Sequence, residues 1–522
     1  MRCGEMPREG ARRRGPSALA IVAPDGGVYS ERQAQIVAAI TRGLEVPAAG
    51  ASELRVVQSP GYVDSVVETH DIAVAVTGAI GQAVAAVGER RGLGSQRVTV
   101  DRRHAGLAFN EIAYFFQSGW QFDISPVHTP VNAFYETRDG RQIFFNGAYA
   151  HLRRGVLDFL DCIDEREAVA RRVAAHDAQP LEDELAARGL CAAILRTQDE
   201  WRVHPQGQAL AGVPPIELAR LAGGEPVPLG PAAWRPLEGL RVLDFTHVLA
   251  GPTIAKLLAE HGADVIHCQD AYLDHILAFD IETAFGKKNT YVNLSDARDR
   301  ELVLRLVRDC DVFVQGFRWG SFARHGLGPD ELRRLNPRLI YVELNCYGFA
   351  GPWAERRGWE QMAQAVSGVA ALHSAAAGKP ALVPAYLCDY GTGALGALGV
   401  LAALLRRARE GGSWLVRVAL TKTAMLAAQF AANREAPVPL DEGELERYLV
   451  DQDSSVGPLT RVAPAVQLEK TPAFVDHAGS FPGSSTLEIG WGPDPLVPHA
   501  IPHRPTAIFR LGRARWKGRQ VL

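Results

Sequence analysis

An aspartate, Asp389, stands before an apolar, alanine-rich stretch in the sequence Asp389-Tyr-Gly-Thr-Gly393. A carboxylate there can cap the N-terminus of the helix that follows, or it can act as a nucleophile that forms a covalent acyl intermediate. Gly391 and Gly393 would let the backbone come close to a reacting carbonyl, where N–H donors stabilise an oxyanion. On these residues alone, helix capping is the favoured interpretation.

A second group of candidate residues lies in a loop between a strand pattern and a helix pattern. The loop carries His247, Val248 and Ala250, and doubly wound sheets bind ligands at such loops. Farther along the chain, Lys287 and Lys288 offer adjacent positive charges, and Lys suits phosphate groups. For either lysine alone, a solvated surface charge is the more usual interpretation.

The elements around this loop predict a βαβ unit of parallel sheet. Residues 241–245 form a short apolar strand, and residues 253–261 form an amphipathic helix that ends at Gly262, the residue type expected there. Residues 263–266 are the next apolar strand. A helix between two such strands is typical of parallel sheets.

The same alternation continues along the chain and predicts the fold class. The later elements of the alternation are helices over 297–310 and 329–335 and strands over 311–315 and 339–344. We therefore expect an α/β fold with a doubly wound, parallel-sheet (Rossmann-like) large domain. A smaller α+β domain is expected to include a hairpin over 133–145, because Asp139-Gly140 supplies the positive φ of a tight turn.

The length of 522 residues predicts more than one domain, and a linker-like stretch at 223–228 suggests one boundary. The predicted units are a disordered tail over 1–17, a first unit over 18–225, a second unit over 236–435 and a wrapping segment over 436–522.

Two segments of the chain resemble each other. Residues 77–91 match residues 392–407 if one residue is gapped, and each is followed by a glycine-rich turn and a strand. We interpret them as an internal duplication, with two unrelated alanine-rich helices as the alternative. In this alignment the counterpart of Asp389 is Val74, with Asp71 nearby.

An ordered series of motifs between residues 236 and 420 resembles class III CoA-transferases, the CaiB/BaiF family of formyl-CoA transferase and carnitine CoA-transferase. The series is Pro236–Pro252, Leu258–Ile266, Gly286–Lys288, Asp311–Arg318 with Arg324, Gly326–Gly328, Asn336–Tyr341, Gly348–Pro352, Gln364–Gly368 and Asp389–Gly393. Residues 95–210 resemble the later part of the same family, so the two family halves stand in rearranged order.

The resemblance implies that Asp389 is the nucleophile of a CoA-transferase that moves CoA from an acyl-CoA to a small carboxylic acid. Coenzyme A is then a substrate, and neither a cofactor nor a metal is expected. The implied CoA-binding residues are His247, Val248, Ala250, Lys287, Lys288, Phe317, Arg324 and Arg357, and the implied substrate-pocket residues are Trp359, Glu360, Gly391 and Gly393. A homodimer is expected, either interlocked or replaced by a pseudo-dimeric arrangement within one chain.

Departures from the family pattern keep two alternatives open. His267-Cys268-Gln269 stands where the family has Lys-Val-Glu, and Gly316 replaces an asparagine. α-Methylacyl-CoA racemases of the same superfamily use a histidine where this chain has Trp359, and indole cannot exchange a proton near neutral pH, so a racemase is disfavoured. The other alternative is a CoA-binding relative that has lost catalysis.

Bulk composition narrows the other possibilities. A net charge of −3 with mixed signs does not indicate a nucleic-acid-binding protein. No run of ~20 apolar residues predicts a membrane span, and the first 17 residues do not have the pattern of a secretory signal. The seven cysteines include no Cys-x-x-Cys pair, so we expect neither a zinc site nor disulfides, and a cytoplasmic location.

Overall fold

The computed structural model describes residues 28–44, 52–124, 127–431, 436–475, 477 and 479–492. The predicted disordered tail, residues 1–17, and the last thirty residues, 493–522, lie outside the described part.

The described residues form a mixture of α-helices and β-strands. The strands are β1 Glu53–Val57, β2 Arg97–Asp101, β3 Phe116–Gln117, β4 Trp120–Gln121, β5 Phe134–Glu136, β6 Gln142–Phe145, β7 Ala192–Ile194, β8 Glu217–Ala222, β9 Arg241–Phe245, β10 Asp264–Gln269, β11 Lys287–Tyr291, β12 Val312–Gln315, β13 Ile340–Asn345, β14 Ser413–Ala419, β15 Leu449–Gln452, β16 Leu459–Val462 and β17 Gln467–Leu468. The helices are α1 Glu31–Ile40, α2 Thr69–Arg90, α3 Arg102–Ala108, α4 Ala150–Leu160, α5 Arg166–Val173, α6 Ala178–Ala187, α7 Gln198–Val203, α8 Pro205–Ala211, α9 Ala250–Ala259, α10 Leu277–Thr283, α11 Ala297–Asp309, α12 Pro329–Leu335, α13 Glu360–Ser367, α14 Val369–Ala377, α15 Leu387–Glu410, α16 Leu420–Gln429 and α17 Glu442–Glu446.

The largest sheet has seven strands in the order β11-β10-β9-β12-β13-β14-β8. Six of these strands run parallel, and β8 closes the edge antiparallel to β14. The predicted α/β class with a parallel sheet is therefore confirmed. Strand order reverses at β9, so the crevice between β9 and β12 at their carboxyl ends is the expected ligand-binding position of such a sheet.

Side-chain alternation along the strands fills two separate cores. Val242 and Val314 face one layer, where α9 and α15 cover the sheet. Leu243 and Phe313 face the other layer, where α11 covers the sheet through Val303. Because helices cover both faces of a parallel sheet, the sequences of its strands are continuous apolar runs and do not alternate between apolar and polar residues.

Helix α9 begins three residues before its predicted start, at Ala250 instead of Thr253. Residues up to Pro252 were predicted to form a loop, but Pro252 lies in the first turn of α9, where a proline removes no intrahelical hydrogen bond. Strand β9 and the hairpin of β5 and β6 with Gly140 at φ +74° are as predicted. Strand β10 is present where a strand was predicted, but it continues to Gln269, three residues beyond the predicted end.

Helix α15 lies unusually close to its neighbours because glycines face them. A Cβ at Gly393 would lie 2.5 Å from the carbonyl oxygen of Ala250, and a Cβ at Gly396 would lie 2.6 Å from Cδ1 of Ile254. Helices α2 and α15 are each long and apolar enough to span a membrane, but their apolar stretches are entirely buried in the protein. Core helices have the same composition, so neither helix indicates a membrane span.

The repeat predicted from the sequence extends to the packing of strands and helices. Val98 of β2 and Val416 of β14 each pair with a parallel strand on one side, β1 or β13, and with an antiparallel strand on the other, β17 or β8. A Cβ at Gly81 of α2 would lie 2.5 Å from Cγ1 of Val98, and a Cβ at Gly399 of α15 would lie 2.5 Å from Cγ1 of Val416. The two copies therefore share one local architecture.

The alignment predicted from the sequence is wrong in its register. Asp71 and Asp389 are each the third residue of their helix, and the helix after the next strand begins at Arg102 in one copy and Leu420 in the other. All of these positions match without a gap, so the counterpart of Asp389 is Asp71 and not Val74. Shared Thr-Gly letters had shifted the alignment by about one helical turn.

The predicted boundary near residue 225 does not separate two units. Strand β8, at residues 217–222, belongs to the seven-stranded sheet and pairs with β14. Strands from the C-terminal segment likewise join elements of the first unit: β17 pairs with β2, and β16 pairs with β3. The segments before 225 and after 436 therefore complete sheets of one interleaved structure.

Replacement of Gly393 by alanine tests the close approach of α15 and α9. A Cβ there would lie 2.5 Å from the backbone carbonyl oxygen of Ala250 and 2.6 Å from Cβ of Thr253, atoms that move only with α9 itself. We therefore expect Gly393→Ala to lower the free energy of unfolding by about 1–3 kcal/mol in urea titrations. In the control variant Gly212→Ala, the new Cβ meets nothing within 4 Å, and we expect little change. Equal effects of the two substitutions would contradict the packing argument.

Candidate functional site

The candidate nucleophile Asp389 is the third residue of α15, and Tyr386 occupies the N-cap position. No side-chain capping bond is made at this helix end, so the interpretation of Asp389 as the N-cap residue is wrong. The side chain is 7% exposed and lines a pocket. Among the described residues, no group donates a hydrogen bond to its carboxylate or pairs with it.

A second carboxyl group, that of Glu360 at the start of α13, lies behind Asp389. Its Oε1 accepts hydrogen bonds from Nε2 of Gln364 at 2.7 Å and from the backbone N–H of Cys388 at 3.2 Å. Burial raises the pKa of Glu360 to about 7. Burial and the neighbouring Glu360 raise the pKa of Asp389 well above its ordinary value, because a buried site without a cation disfavours the ionised form.

The loop from β9 to α9 faces the start of α15 in a strained conformation. Val248 has φ +69°, which is rare for a β-branched residue and clusters at functional sites. The turn is tight, since a Cβ at Gly251 would lie 2.4 Å from Cβ of Thr246. Burial lowers the pKa of His247 to about 4, so the loop presents a neutral imidazole to the pocket.

Buried charges beneath this loop hold it in place. The Asp244 carboxylate accepts hydrogen bonds from His267 Nδ1 at 2.8 Å and from Lys287 Nζ at 3.0 Å. Lys287 Nζ also donates to the carbonyl oxygen of Pro252 at 2.7 Å. The sequence predicted that Lys287 would bind CoA. These buried partners satisfy its ammonium group instead, and its side chain does not face the pocket.

Aromatic rings form one wall of the pocket. Trp359 stacks on Tyr149 with ring centroids 4.9 Å apart and meets the His247 ring edge-on at 6.1 Å. The ring of His247 in turn lies 5.0 Å from that of Phe317. These rings form one continuous aromatic surface along the pocket.

Exposed arginines also border the pocket. Arg318 and Arg357 line the pocket, and the guanidinium of Arg357 donates to the carbonyl oxygen of Gly189 at 3.0 Å. Burial and the neighbouring charges of Arg357 and Arg324 lower the pKa of Arg318. Three neighbouring guanidiniums create a local positive field suited to phosphate groups.

The pocket has a volume of about 350 Å³. It is bounded by the β9–α9 loop, the end of β13, the turn before α13, the start of α16 and residues near the start of α4. Its lining residues are Tyr149, His151, Leu152, His247, Val248, Ala250, Gly251, Leu273, Asp274, Gly316, Phe317, Arg318, Ser321, Leu344, Asn345, Cys346, Ala354, Arg356, Arg357, Gly358, Trp359, Asp389 and Leu420.

Seven of the predicted site residues meet in this pocket: His247, Val248, Ala250, Phe317, Arg357, Trp359 and Asp389. Six others lie outside its lining: Lys287, Lys288, Arg324, Glu360, Gly391 and Gly393.

Three of these six residues have structural partners that explain their position. Lys288 Nζ lies 2.7 Å from Asp264 and donates to carbonyl oxygens of the C-terminal segment, those of Gly490 and Gly492. Gly393 abuts the backbone of α9, and a Cβ at Gly391 would lie 2.9 Å from a methyl carbon of Thr423. The absence of side chains at these two glycines therefore serves helix packing and not the approach of a substrate.

Sequence reasoning missed several lining residues. Tyr149 and His151 come from the N-terminal part of the chain, where no local motif marked them. Arg318 stood at the end of a recognised motif, but it was not assigned a role in binding. Cys346 and Leu420 follow the ends of β13 and β14, and the rule that parallel sheets bind ligands at their carboxyl ends could have found them.

A buried ionic cluster fixes the start of α15 from the other side. Tyr390, next to Asp389, donates a hydrogen bond to Glu282 Oε2 at 3.2 Å and accepts one from the backbone N–H of Ile112 at 3.0 Å. The ammonium of Lys256 bonds both Glu282 and Glu111. The position of Asp389 therefore depends on residues from three distant parts of the chain.

The arrangement provides a buried carboxylate beside a mostly apolar cavity with a cationic rim. Within the described residues, no group of three or more His, Cys, Asp or Glu side chains could hold a metal ion. Removal of water around a carboxylate and pre-placed guanidiniums suit covalent chemistry on a ligand that carries phosphates.

The region that holds this site is similar to known proteins. The sequence model of CoA-transferase family III matches residues 237–453. The chain is 32% identical over 315 residues to acetyl-coenzyme A transferase nodX of Hypoxylon pulicicidum. This alignment covers 55% of this chain and 52% of the relative. It is 36% identical over 204 residues to the probable fatty acyl-CoA transferase Rv3272 of Mycobacterium tuberculosis, over 37% of this chain and 52% of the relative.

A formyl-CoA:oxalate CoA-transferase of Streptomyces avermitilis is 33% identical over 195 residues, 35% of this chain and 47% of the relative. The chain thus spans about half the length of the curated relatives it matches. A crystal structure of Rv3272 aligns with a TM-score of 0.36 at 36% identity, over 38% of this chain and 58% of that one.

Replacement of Asp389 by asparagine tests the electrostatic state of the site. Its pKa is raised in the folded protein, so the folded state binds more protons than the unfolded chain, and wild-type stability falls as pH rises above the unfolded value. Asp389→Asn removes this penalty. We expect a gain of about 1 kcal/mol in the free energy of unfolding at pH 8 and a smaller gain at pH 5, measured in urea. A loss at pH 8, or an equal gain at both pH values, would contradict the assignment.

Proposed function

We propose, from the premise that residues 237–453 belong to CoA-transferase family III, that this protein moves CoA from an acyl-CoA to a carboxylic acid. The observation that carries the proposal is the carboxylate of Asp389. It lies without a cationic partner among the described residues, at the pocket between an aromatic wall and an arginine rim. Buried carboxylates are normally paired, so an unpaired one in a pocket favours a chemical role.

The proposed reaction forms and breaks one bond in each step. A carboxylate oxygen of Asp389 attacks the thioester carbonyl of the donor, and CoA leaves as its thiolate with the electron pair of the C–S bond. The thiolate then attacks the aspartyl carbonyl of the mixed anhydride, which releases the donor acid and leaves an aspartyl-CoA thioester. The acceptor carboxylate attacks the carbonyl of this thioester and expels the CoA thiolate, which gives a second mixed anhydride. The thiolate then attacks the acceptor carbonyl of that anhydride, and the C–O bond to Asp389 breaks, which yields the CoA thioester of the acceptor and the free Asp389 carboxylate.

Burial of Asp389 serves this chemistry. A carboxylate held away from water is more basic and less solvated, and attack on a carbonyl benefits from both. The attacking form is the ionised one, and the adjacent Glu360 opposes ionisation while it carries a charge of its own. A protonated Glu360 would therefore favour the ionised, reactive form of Asp389.

The arginine rim is the proposed binding site of the CoA phosphates. Arg318, Arg324 and Arg357 take this role, whereas the predicted Lys287 and Lys288 are paired internally. The racemase alternative remains disfavoured, since Trp359 lies in the pocket and indole does not exchange protons near neutral pH. We further propose that the large domain is Rossmann-like, with the two family halves in rearranged order. The protein is also proposed to be a homodimer and to be cytoplasmic.

Trapping with hydroxylamine tests the nucleophile. The full chain is incubated with a panel of acyl-CoA thioesters and hydroxylamine, and modified peptides are mapped by mass spectrometry. We expect a hydroxamate on Asp389 with a usable donor, and in Asp389→Asn a fall in CoA transfer of at least about 10³-fold.

Asp158→Asn, at an exposed position of α4, is the matched control and should react as wild type does. CoA binding without any adduct on Asp389, from any donor, would contradict the transferase and favour a CoA-binding relative that has lost catalysis.

Neutralisation of the rim tests where CoA binds. A hydrogen bond to a charged group contributes about 1.5–3 kcal/mol, so we expect Arg318→Gln to weaken CoA binding by about 10- to 100-fold in calorimetric titrations. Binding of pantetheine, the part of CoA that carries no phosphate, should change much less. Arg305→Gln, on the exposed face of α11, is the control and should bind CoA normally. An Arg318→Gln variant with unaltered CoA affinity would move the phosphate site elsewhere.

A further inference from the structure

The repeat gives the Asp389 site a structural counterpart elsewhere in the molecule. Asp71 holds in α2 the position that Asp389 holds in α15. Each helix packs on a strand with the same parallel and antiparallel neighbours. Such agreement in strand register, helix start and glycine contacts is what an internal duplication of the site would leave.

A pocket also lies at the counterpart position. It has a volume of about 810 Å³ and includes Asp71, the first residue of α3 and the residues that follow β1. In the Asp389 pocket, the corresponding boundaries are the first residue of α16 and the residues that follow β13. The two pockets therefore share three boundaries: the start of the helix that carries the aspartate, the start of the helix after the next strand, and the residues that follow the neighbouring parallel strand.

One substitution separates the two sites chemically. Where α16 begins with Leu420, α3 begins with Arg102. The Arg102 Nε donates to Oδ1 of Asp71 at 2.9 Å, and its Nη2 lies 3.3 Å from Glu68. The Asp389 pocket offers only an apolar side chain at the same place.

Further donors complete the hold on Asp71. Its Oδ1 also accepts from Gln33 Nε2 at 2.8 Å, and its Oδ2 accepts from Arg32 Nη1 at 3.4 Å. Both carboxylate oxygens are thus engaged, and the side chain of Asp71 is buried. A carboxylate in this state has its charge neutralised and its lone pairs occupied, so it cannot attack a carbonyl.

We infer that the pocket at Asp71 is a transferase half-site whose carboxylate has become a structural ion-pair partner, so that each chain has one reactive aspartate. This inference rests on the proposed function for its chemistry, because it assigns the reaction to Asp389 alone. It also assigns opposite effects on stability to the two carboxylates. Asp71 stabilises the fold through its partners, whereas Asp389 is retained at a cost to stability.

Peptide mapping after donor and hydroxylamine treatment counts the reactive aspartates in the full chain. We expect one hydroxamate per chain, on Asp389, and none on Asp71 in wild type or in Asp389→Asn. A hydroxamate on Asp71 would overturn the inference. If no donor labels either residue, the proposed function fails, and the second measurement decides the inference by itself.

Thermal unfolding of full-length Asp71→Asn, Asp389→Asn and the exposed control Asp158→Asn provides that measurement. At pH 8 we expect Asp71→Asn to lower Tm by about 3 °C or more, because Arg102 loses its closest carboxylate. We expect Asp389→Asn to raise Tm, and Asp158→Asn to leave it unchanged. An Asp71→Asn protein with an unchanged or raised Tm would show that Asp71 is not a structural partner and would overturn the inference even without a usable donor.

Discussion

The close contact between α15 and α9 is the constraint on which the site depends. Gly393 contributes no side chain to this contact, and the carbonyl oxygen of Ala250 would lie 2.5 Å from an added Cβ. The contact brings the first turn of α15 beside the loop that leads into α9. That loop contains Val248 at φ +69°, a conformation that persists where its surroundings hold it in place. The carboxylate and the loop thus reach the same pocket through helix packing.

Electrostatic pairing distinguishes the candidate nucleophile from buried acids such as Asp244 and Glu282. Asp244 has Lys287 and His267, and Glu282 has Lys256 and Tyr390. Burial without a partner is costly, and buried charges are normally compensated. Asp389 has no such compensation from the described residues, and the neighbouring group that shifts its pKa, Glu360, is another acid. An enzyme that needs a reactive carboxylate has a reason to leave it unpaired, whereas a structural acid has none.

The sequence predicted the local elements well because apolar periodicity and helix-end residues act over short distances. The bounds of β9 and α12 agree with the prediction, and the Asp389 segment was recognised as the start of a helix. Partners distant in the chain could not be predicted. Lys287 and Lys288 look like free cations in the sequence, but Asp244 and the C-terminal glycines that neutralise or cover them become neighbours only through folding.

Contacts between distant parts of the chain also explain why the positions of Tyr149 and β8 were not predicted. Tyr149 reaches the pocket from α4, and β8 joins the main sheet, although both precede the recognised motifs. The repeat was visible in the sequence, but the match of Thr-Gly letters gave the wrong register, which strand pairing corrects.

Sheets of this protein are completed by strands from opposite ends of the chain. The small sheet of β1 and β2 near the N-terminus gains its third strand from residues 467–468, and Arg461 of β16 lies 3.5 Å from Glu260 of the central region. During synthesis, the N-terminal sheet therefore keeps an unpaired edge until almost all of the described chain has left the ribosome. Unpaired edges are sites of wrong strand pairing, so the order of synthesis leaves the first half of this protein dependent on its last strands, and exposed to aggregation in the interval.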